Sequence, residues 1–524
     1  MSMSEAGHVT VGASMDLSRP TRAKIVATLG PASDSPEMVT RLISAGVAVF
    51  RLNFSHGTFE EHGKRLASVR AAAKELRRPI AVFGDLCGPK IRVGMVADNA
   101  GVMLESGREV VFRKGETQCR VGPDEVVLPT TYPALIDEVK PGHRVLINDG
   151  SIRMLAIDHS ADKRELRCRV TVAGQVTTGK GINLPDTDVK APAITQRDWE
   201  CVEWAVRSGL DFLALSFVRS AAEIQELKQK LATMCPVDKV AEDAAVGQGA
   251  AIPVIAKIEK PQAVRALDEI VQAADAIMVA RGDLGVEMEI AQVPVVQKQI
   301  VARCQAWGKP CIVATQMLET MIQNASPTRA EASDVANAVF DGADAVMLSG
   351  ETAVGKHPAL VVETMRRIIA AAEGRISELP HVEAPPSKLV ESRYATAALA
   401  HGAWHIARDI GAKLIVCWSQ AGGTARYLSQ NDFRVPIIAY STSVMAARRM
   451  TLLKGVTPIR AEAPEGLEAF TNVAEKDMLE RGWIGRGDPV VLVAGKPLGE
   501  AKATNSIAIL YVGDPRGGYR SHRS

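Results

Sequence analysis

Aromatic residues make up only 4% of this chain, too few for the stacked platforms on which single-stranded nucleic acid is read. Strong charge of either sign is missing as well. A formal net charge of +2 spread over 524 residues sets up no field that would draw nucleic acid or an anionic membrane. No uninterrupted apolar run reaches membrane-spanning length, and residues 1–20 lack the apolar segment of a secretory leader, so they read as a loose N-terminal tail. The eight cysteines (87, 119, 168, 201, 235, 304, 311 and 417) form no Cys-x-x-Cys and no zinc-ligand spacing. They read as reduced, mostly buried thiols of a cytoplasmic protein. Asn53-Phe-Ser55 and Asn324-Ala-Ser326 match the glycosylation pattern, which means nothing without secretion. What the chain does contain, 47% hydrophobic and 23% charged residues, suits a globular protein whose length calls for several cores.

Eight short apolar runs recur, each ending in polar or glycine residues: 24–30, 47–54, 80–86, 212–218, 253–259, 276–283, 310–316 and 345–351. Helix-length amphipathic segments lie between most of them. The first, Pro36 to Ala45, opens on Ser35 as N-cap with Pro36 as its first residue and stops at Gly46. Strand and helix alternating eight times is the pattern of a (β/α)8 TIM barrel. The alternation breaks once, after the third run, where segments such as Arg108 to Phe112, Arg144 to Ile147 and Arg164 to Val172 alternate at period two between Gly, Pro and Asp. That texture predicts a small β-barrel domain inserted at 89–190, acting as a lid on two hinges, with the catalytic barrel at 21–88 and 191–375. Beyond Glu383-Ala-Pro-Pro-Ser387 the runs Lys413 to Trp418, Val435 to Tyr440, Val456 to Ile459, Pro489 to Ala494 and Ile507 to Val512 predict a C-terminal open-sheet α/β domain at 388–524, with a frayed end.

Charge gathers where strands end, which in such barrels is where chemistry is done. Arg51, Asn53 and Ser55 share one face of the second run, since side chains alternate, and a guanidinium with two small oxygen-bearing neighbours suits a phosphoryl oxygen. The plain alternative, an incidental strand-end arginine, is about as good for this segment alone. Lys257 and Glu259 also point together: the ammonium neutralises a phosphoryl group while the carboxylate holds Mg2+. Ion pairs at strand ends are common, but Asp283 at the end of the next run supplies a second carboxylate, and Gly282 before it lets backbone N–H groups approach an anion. Thr315, and Ser349 with Glu351, end the seventh and eighth runs, where a purely structural role is the commoner one. Lys180 between Gly179 and Gly181 reads by itself as a solvated lysine. In the last domain Ser419-Gln420-Ala421-Gly422-Gly423-Thr424 joins a strand to a helix and offers N–H groups to a phosphate, although glycine also serves such turns for geometry alone.

Taken together these segments resemble the pyruvate kinase family. The resemblance is densest in Lys24-Ile-Val-Ala-Thr-Leu-Gly-Pro31, Arg51-Leu-Asn-Phe-Ser-His-Gly57, Ile255-Ala-Lys-Ile-Glu259, Met278-Val-Ala-Arg-Gly-Asp-Leu-Gly285, Ala314-Thr-Gln-Met-Leu-Glu319, Thr328 to Ala338 and Met347-Leu-Ser-Gly-Glu-Thr352. It implies phosphoryl transfer from phosphoenolpyruvate to ADP, giving pyruvate and ATP, with Mg2+ (or Mn2+) as cofactor, in a homotetramer with a phosphorylated allosteric effector. Matching positions imply that Lys257 stabilises the moving phosphoryl group, that Glu259 and Asp283 hold the metal, and that Arg51 contacts phosphate. Gly282 and Thr315 are implied to bind substrate carboxylate, and Asn53, Ser55, His56, Arg92 and Lys180 to lie on the nucleotide or phosphate side. Thr315, Ser349 and Glu351 would order the water that protonates the enolate carbon.

Three departures stand out. Many relatives read Asp-Thr-Lys-Gly-Pro-Glu-Ile-Arg after the third strand and need K+; here Asp85-Leu-Cys-Gly-Pro-Lys90-Ile-Arg92 removes a hydroxyl and places an ammonium where they have Glu. A tethered cation replaces a free one, so the chain is expected not to require K+; a Lys90 that merely meets solvent is the alternative. The stretch 238–251 is longer than in most relatives and is expected to be a surface loop without a catalytic role. Ala421-Gly422-Gly423 stands where relatives often carry Ser-Gly-Arg, which points away from a sugar bisphosphate and toward a sugar or nucleoside monophosphate. Two other readings stay open: a Mg2+-dependent lyase or mutase acting on a pyruvate enolate, separated by whether ATP forms without a carbon bond breaking, and a degenerate relative that only binds effectors, which loss of Lys257, Glu259 or Asp283 would favour. All three are present.

Overall fold

The computed structural model describes residues 20–96, 101–123, 125–234, 251–379, 386–391, 393–500 and 503–514. The N-terminal tail through residue 19, the stretch 238–250, most of the proline-containing connection near 383 and the chain end beyond 514 lie outside them.

All eight apolar runs become strands of one closed parallel barrel: β1 (Lys24–Thr28), β2 (Val47–Asn53), β3 (Ala81–Asp85), β4 (Phe212–Leu215), β5 (Val254–Ile258), β6 (Ala276–Ala280), β7 (Cys311–Ala314) and β8 (Ala345–Leu348). They pair in sequence order, β1 closing on β8 through Lys24 opposite Ala345 and Met347 opposite Val26. The first helix, Pro36–Ala45, runs as its ends dictate: Ser35 Oγ accepts from Met38 N, and Gly46 adopts φ +129° to stop it.

Two cores divide the strands by parity. Ile25, Ala27, Val47, Leu52, Leu213, Ala256 and Ile258 face the surrounding helices. Val26, Val49, Ala81, Phe83, Phe212, Ala214, Ile255, Met278, Ile312 and Met347 fill the barrel interior, a packed plug rather than a pore. The inward series then continues past the apolar layers into Thr28, Arg51, Asp85, Ser216 and Lys257, each two residues beyond an inward hydrophobe on its own strand. Parity delivers them to one mouth.

Between β3 and β4 lies the predicted insertion, a seven-stranded, mainly antiparallel sheet in the order 182–183, 144–147, 152–159, 165–172, 109–113, 125–128, 120–121, with a ribbon of Val102–Leu104 against Gly174–Val176. It has its own core, built on Phe112, Leu128, Ile136, Met154 and Leu166. Its connections to the barrel are braced at the backbone. Asp198 Oδ1 accepts from Cys87 N at 2.9 Å and from Gly88 N at 3.3 Å; Arg219 donates to Val189 O and, at 2.8 Å, to Ala191 O.

The C-terminal sheet orders β11 (Val456–Arg460), β10 (Ile437–Ser441), β9 (Leu414–Trp418), β12 (Pro489–Gly495) and β13 (Thr504–Tyr511), with only β13 antiparallel. It meets the end of the barrel opposite the mouth. Leu452 is buried in the interior core beneath the strands, a burial that stabilises by about 2 kcal/mol. Around it polar groups cross the boundary: Lys24 Nζ donates to Val456 O at 2.8 Å, Gly455 N to Arg22 O at 2.9 Å, and Gln430 Nε2 to Asp344 Oδ1 at 2.9 Å.

Burial lifts the Asp344 carboxyl from 3.8 to about 6, only partly opposed by the Cys311 N–H, Lys454 and Gln430. Folding therefore favours its neutral form. The contribution is complete below the unfolded pKa of about 4 and is lost as pH rises through about 6, a swing of about 3 kcal/mol. In Asp344→Asn, where the Gln430 amide turns over to accept, the fall in melting temperature between pH 4 and 6.5 should flatten; parallel profiles for the two proteins would place the slope elsewhere.

Candidate active site

Lys257 organises the mouth. Its buried ammonium lies 2.9 Å from Glu259 Oε1, 3.2 and 3.4 Å from the two Asp85 oxygens, and donates to Ser216 Oγ at 2.8 Å. Burial alone would lower its pKa, but Asp85 and Glu259 together outweigh that and hold the ammonium above its ordinary value. Arg51 closes the other side of Asp85, with Nε at 2.7 Å and Nη2 at 2.6 Å from Oδ2, and reaches Thr28 Oγ1 at 3.3 Å. Asp85 is pushed up by burial and pulled down further by Lys257 and Arg51, so it is held below the usual carboxylate range. Two cations thus converge on one buried anion, and the cations lie toward the opening.

Glu259 sits where the chain has left the strand. Its Oε2 accepts from Phe217 N at 2.6 Å, and Phe217 holds the left-handed conformation, φ +54°, that aims this N–H. Burial raises the Glu259 carboxyl, Lys257 lowers it and Asp283 raises it again. The last effect places the two carboxylates within each other's field. Asp283 differs from expectation in its element: β6 ends at Ala280, and Arg281–Glu287 is a helix whose first turn carries Asp283. An acidic residue is favoured there by the unpaired N–H groups of that turn.

The donors at the mouth suit the divalent ion that such a pair suggests. Glu259 Oε1 is buried and faces the Lys257 ammonium at 2.9 Å, and a second carboxylate comes from the adjoining element. Among the described residues no three or more His, Cys, Asp and Glu side chains form a metal cage. Two hard oxygen donors with room for solvent and substrate oxygens fit Mg2+, which keeps waters and rarely takes an all-protein cage.

Thr315 faces this cluster from β7. Its Oγ1 accepts from Gly282 N at 2.7 Å and donates to Ala314 O at 2.7 Å. Thr315 and Gln316 both adopt positive φ, +67° and +54°. Buried Arg281 supports that strained pair by donating to Thr315 O at 2.9 Å and Gln316 O at 3.1 Å while ion-pairing with Asp334 at 2.6 Å. At β8 the strand stops at Leu348, and Glu351 lies in the short helix Gly350–Ala353. Both its oxygens serve backbone, Oε2 accepting from Ser349 N at 2.6 Å and Oε1 from Leu318 N at 3.1 Å. Glu351 is placed as a brace between two loops, whereas Ser349 Oγ, buried without a partner, is the hydroxyl left available.

The remaining sequence candidates divide into groups. Asn53 Oδ1 accepts from Ser55 N at 3.2 Å, which shapes the turn that presents exposed His56. In the insertion Arg92 Nη1 donates to Gly179 O at 2.8 Å, and Arg92 pairs with Gly181, so Arg92 and half-buried Lys180 are neighbours at the first connection. Lys90 is exposed on the same connection and its field reaches the Cys87 thiol. The loop after β9 lies apart from these, in the C-terminal sheet: Ser419 Oγ accepts from Ala425 N at 3.1 Å, Gln420 bonds Trp418 and Thr442, Gly422 has φ +84°, and in the first turn of the helix Gly423–Ser429 Thr424 Oγ1 meets Thr504 Oγ1 at 2.6 Å.

Several working residues escaped the sequence reading: Asp85 and Ser216 as partners of Lys257, Arg281 with Asp334 behind Thr315, and the link of Asn183 Nδ2 to Glu287 Oε1 at 2.9 Å, with Lys260 Nζ at 3.0 Å, which ties the insertion to the barrel. Asp85 was findable, because it stands at the same inward parity as Arg51 and Lys257. The others needed contacts between distant segments.

A closed parallel barrel bearing a lysine, an arginine and two hard carboxylates at the C-terminal strand ends defines a metal-assisted phosphoryl-handling enzyme. The comparisons make this specific. Residues 20–362 match the family model described as pyruvate kinase, barrel domain, and residues 397–510 match pyruvate kinase, alpha/beta domain. Pyruvate kinases of Staphylococcus aureus and Staphylococcus epidermidis are 39% and 38% identical over 493 residues, 94% of this chain and 81% of theirs. A crystal structure of a pyruvate kinase from Cryptosporidium parvum superposes with a TM-score of 0.83 at 33% identity, covering 94% of this chain and 96% of that one. The chain belongs to the pyruvate kinase family, transferases that move the phosphoryl group of phosphoenolpyruvate to leave pyruvate, generally with a divalent metal. Among the described residues no helix is long and apolar enough to cross a membrane.

Proposed function

We propose that the chain forms ATP and pyruvate from ADP and phosphoenolpyruvate in the cytoplasm, with Lys257 on the transferring phosphoryl group and Mg2+, or Mn2+ in its place, on Glu259 and Asp283. The observation that carries this is the ammonium of Lys257 at 2.9 Å from the buried Glu259 carboxylate, with the Asp283 carboxylate in the same field. When bound, the ion supplies charge neutralisation to phosphoryl oxygens. Lys257 and Arg51 supply the rest from fixed positions, so little reorganisation accompanies transfer. Gly282 and Thr315 seat the substrate carboxylate, and the hydroxyl of Ser349, with Thr315 held by Arg281 and Glu351 acting as a brace, orders the water that protonates the enolate carbon. Arg92 and Lys180, joined through Gly179, face the nucleotide with Asn53, Ser55 and His56, and the insertion closes on hinges at its two connections. The direct test is a coupled pyruvate assay on purified protein, in which ATP should appear mole for mole with pyruvate and no other carbon product; cleavage of a carbon bond would favour a lyase.

Independence from K+ is the second part of the reading. Leu86 is buried and offers no hydroxyl, while Lys90 carries an ammonium on the neighbouring connection. Turnover in K+ and in Na+ at matched ionic strength should agree within about twofold, because a compact tethered charge replaces the free ion, and Leu86→Thr with Lys90→Glu should create a K+ requirement. A strong stimulation of the parent enzyme by K+ would refute it.

Regulation and assembly complete it. The backbone N–H groups around Gly422 and Gly423, with Ser419, Gln420 and Thr424, form the seat of a phosphorylated effector, and the lack of a guanidinium there favours a monophosphate. A panel of sugar phosphates and AMP in the same assay distinguishes them. Ile290, 78% exposed, and Val295, 56% exposed, are apolar side chains that a homotetramer would cover.

A further inference from the structure

One carboxylate behind the barrel mouth joins three elements that the mouth uses. Glu287 is buried, and its Oε1 accepts from Lys260 Nζ at 3.0 Å and from Asn183 Nδ2 at 2.9 Å. Lys260 follows Glu259 in the chain, and Glu287 ends the helix Arg281–Glu287 one turn after Asp283. Positions i and i+4 lie one above the other on a helix face, so Glu287 shares the face of Asp283. The Lys260–Glu287 ion pair therefore clasps the strand end that carries one metal carboxylate to the helix that carries the other.

Lys260 also steadies Glu259 by a second route. Its ammonium lies 5.9 Å from the centroid of the Phe217 ring, a cation over an aromatic face, and Phe217 is the residue whose N–H donates to Glu259 Oε2. The other end of the helix is pinned separately, by Arg281 on Asp334 and by Gly282 N on Thr315 Oγ1. Asp283 is thus held between two anchors. Glu351 offers a contrast, since both its oxygens serve backbone, whereas the donors to Glu287 are side chains, one of them in the insertion. That residue, Asn183, lies three positions past Lys180 on the strand paired with 144–147. There Arg144, held chiefly by Asp186, lies within the field of Glu287 as well.

We infer, resting on the reading that Glu259 and Asp283 hold the divalent ion, that Glu287 is a positioning residue for them. Through Lys260 it sets the spacing of the two carboxylates, and through Asn183 it ties that spacing to the insertion on the nucleotide side. Mg2+ demands near-ideal octahedral geometry at about 2.0–2.1 Å, so a small displacement of either carboxylate is felt as lost affinity.

The test reads ion binding apart from turnover, by titrating the full-length protein with Mn2+ and following the free-ion signal in electron paramagnetic resonance. Lys260→Met and Glu287→Gln should each weaken Mn2+ about 10–100-fold, the scale of an outer-shell partner. A field effect alone would move them in opposite directions, because deleting the lysine charge would tighten a cation and deleting the glutamate charge would loosen it. Lys260→Met leaves Glu287 without its cation, so the double variant, with both charges gone, is measured beside it; acting through one clasp, it should lose no more than either single change. Lys260→Arg, which keeps the cation, should bind Mn2+ nearly as the parent does. Asn183→Ala should raise KM for ADP about tenfold, the scale of one hydrogen bond to a charged group, with KM for phosphoenolpyruvate unchanged; an unchanged KM for ADP would cut the insertion out of the inference. If the parent binds Mn2+ while Lys260→Met and Glu287→Gln bind it equally well, or Lys260→Met binds it more tightly, the positioning role is overturned and the proposed function stands. A parent with no Mn2+ site would overturn both.

Discussion

Replacing Lys257 by Met should lower kcat by about a thousandfold or more, the scale seen when a preorganised positive group is taken from a phosphoryl or oxyanion transition state. Methionine keeps the length and flexibility of the side chain while deleting the charge, so the loss reports electrostatics rather than shape. Stability changes as well, because Asp85 and Glu259 are both buried beside the ammonium. Breaking a buried pair costs about 3–5 kcal/mol, and Arg51, still bound to Asp85, keeps the penalty near the lower end. Glu259 is then the uncompensated charge, so Mn2+ should raise the melting temperature of the variant more than that of the parent. Turnover within tenfold of the parent would remove Lys257 from the chemistry.

Glu259→Gln should separate metal binding from folding. The amide oxygen can still accept from Phe217 N, which holds this side chain at 2.6 Å, so the loop keeps its shape. What disappears is the anionic oxygen that burial and Asp283 make so receptive to a cation. Mn2+ affinity, read from the free-ion signal in electron paramagnetic resonance, should fall beyond the roughly 10–100-fold that loss of an outer-shell partner costs. Activity should follow and recover only in part at high Mn2+. An unchanged Mn2+ isotherm would mean that the ion sits elsewhere, and Asp283→Asn, expected to weaken binding comparably, would then be unchanged too.

How much of this was legible beforehand depended on whether a feature was local. Periodicity in short segments was enough for the eight strands and for the Pro36–Ala45 helix with its Ser35 cap and Gly46 stop. It was also enough to set Lys257 beside Glu259, since two residues at period two cannot avoid sharing a face. Asp283 shows where local reading stops. An apolar run cannot say at which residue a strand yields to a helix, and the chain turns helical at Arg281, three residues earlier than the sequence pattern implied. Glu351 shows the same for function: its carboxylate is consumed by the N–H groups of Leu318 and Ser349, one of them thirty-three residues away.

By itself the sequence determined the alternation of strand and helix, the parity that turns charged side chains toward the barrel interior, and the place where the insertion interrupts them, because each follows from residues that are neighbours along the chain. Only the tertiary structure decided which charges meet. Asp85 reaches Lys257 across 172 positions, and Asn183 reaches Glu287 across 104, because the closed barrel turns the inward residues of β3 and β5, on either side of β4, into one interior and leaves the insertion standing over the strand ends. Closure is a property of the whole sheet, and no window of sequence contains it.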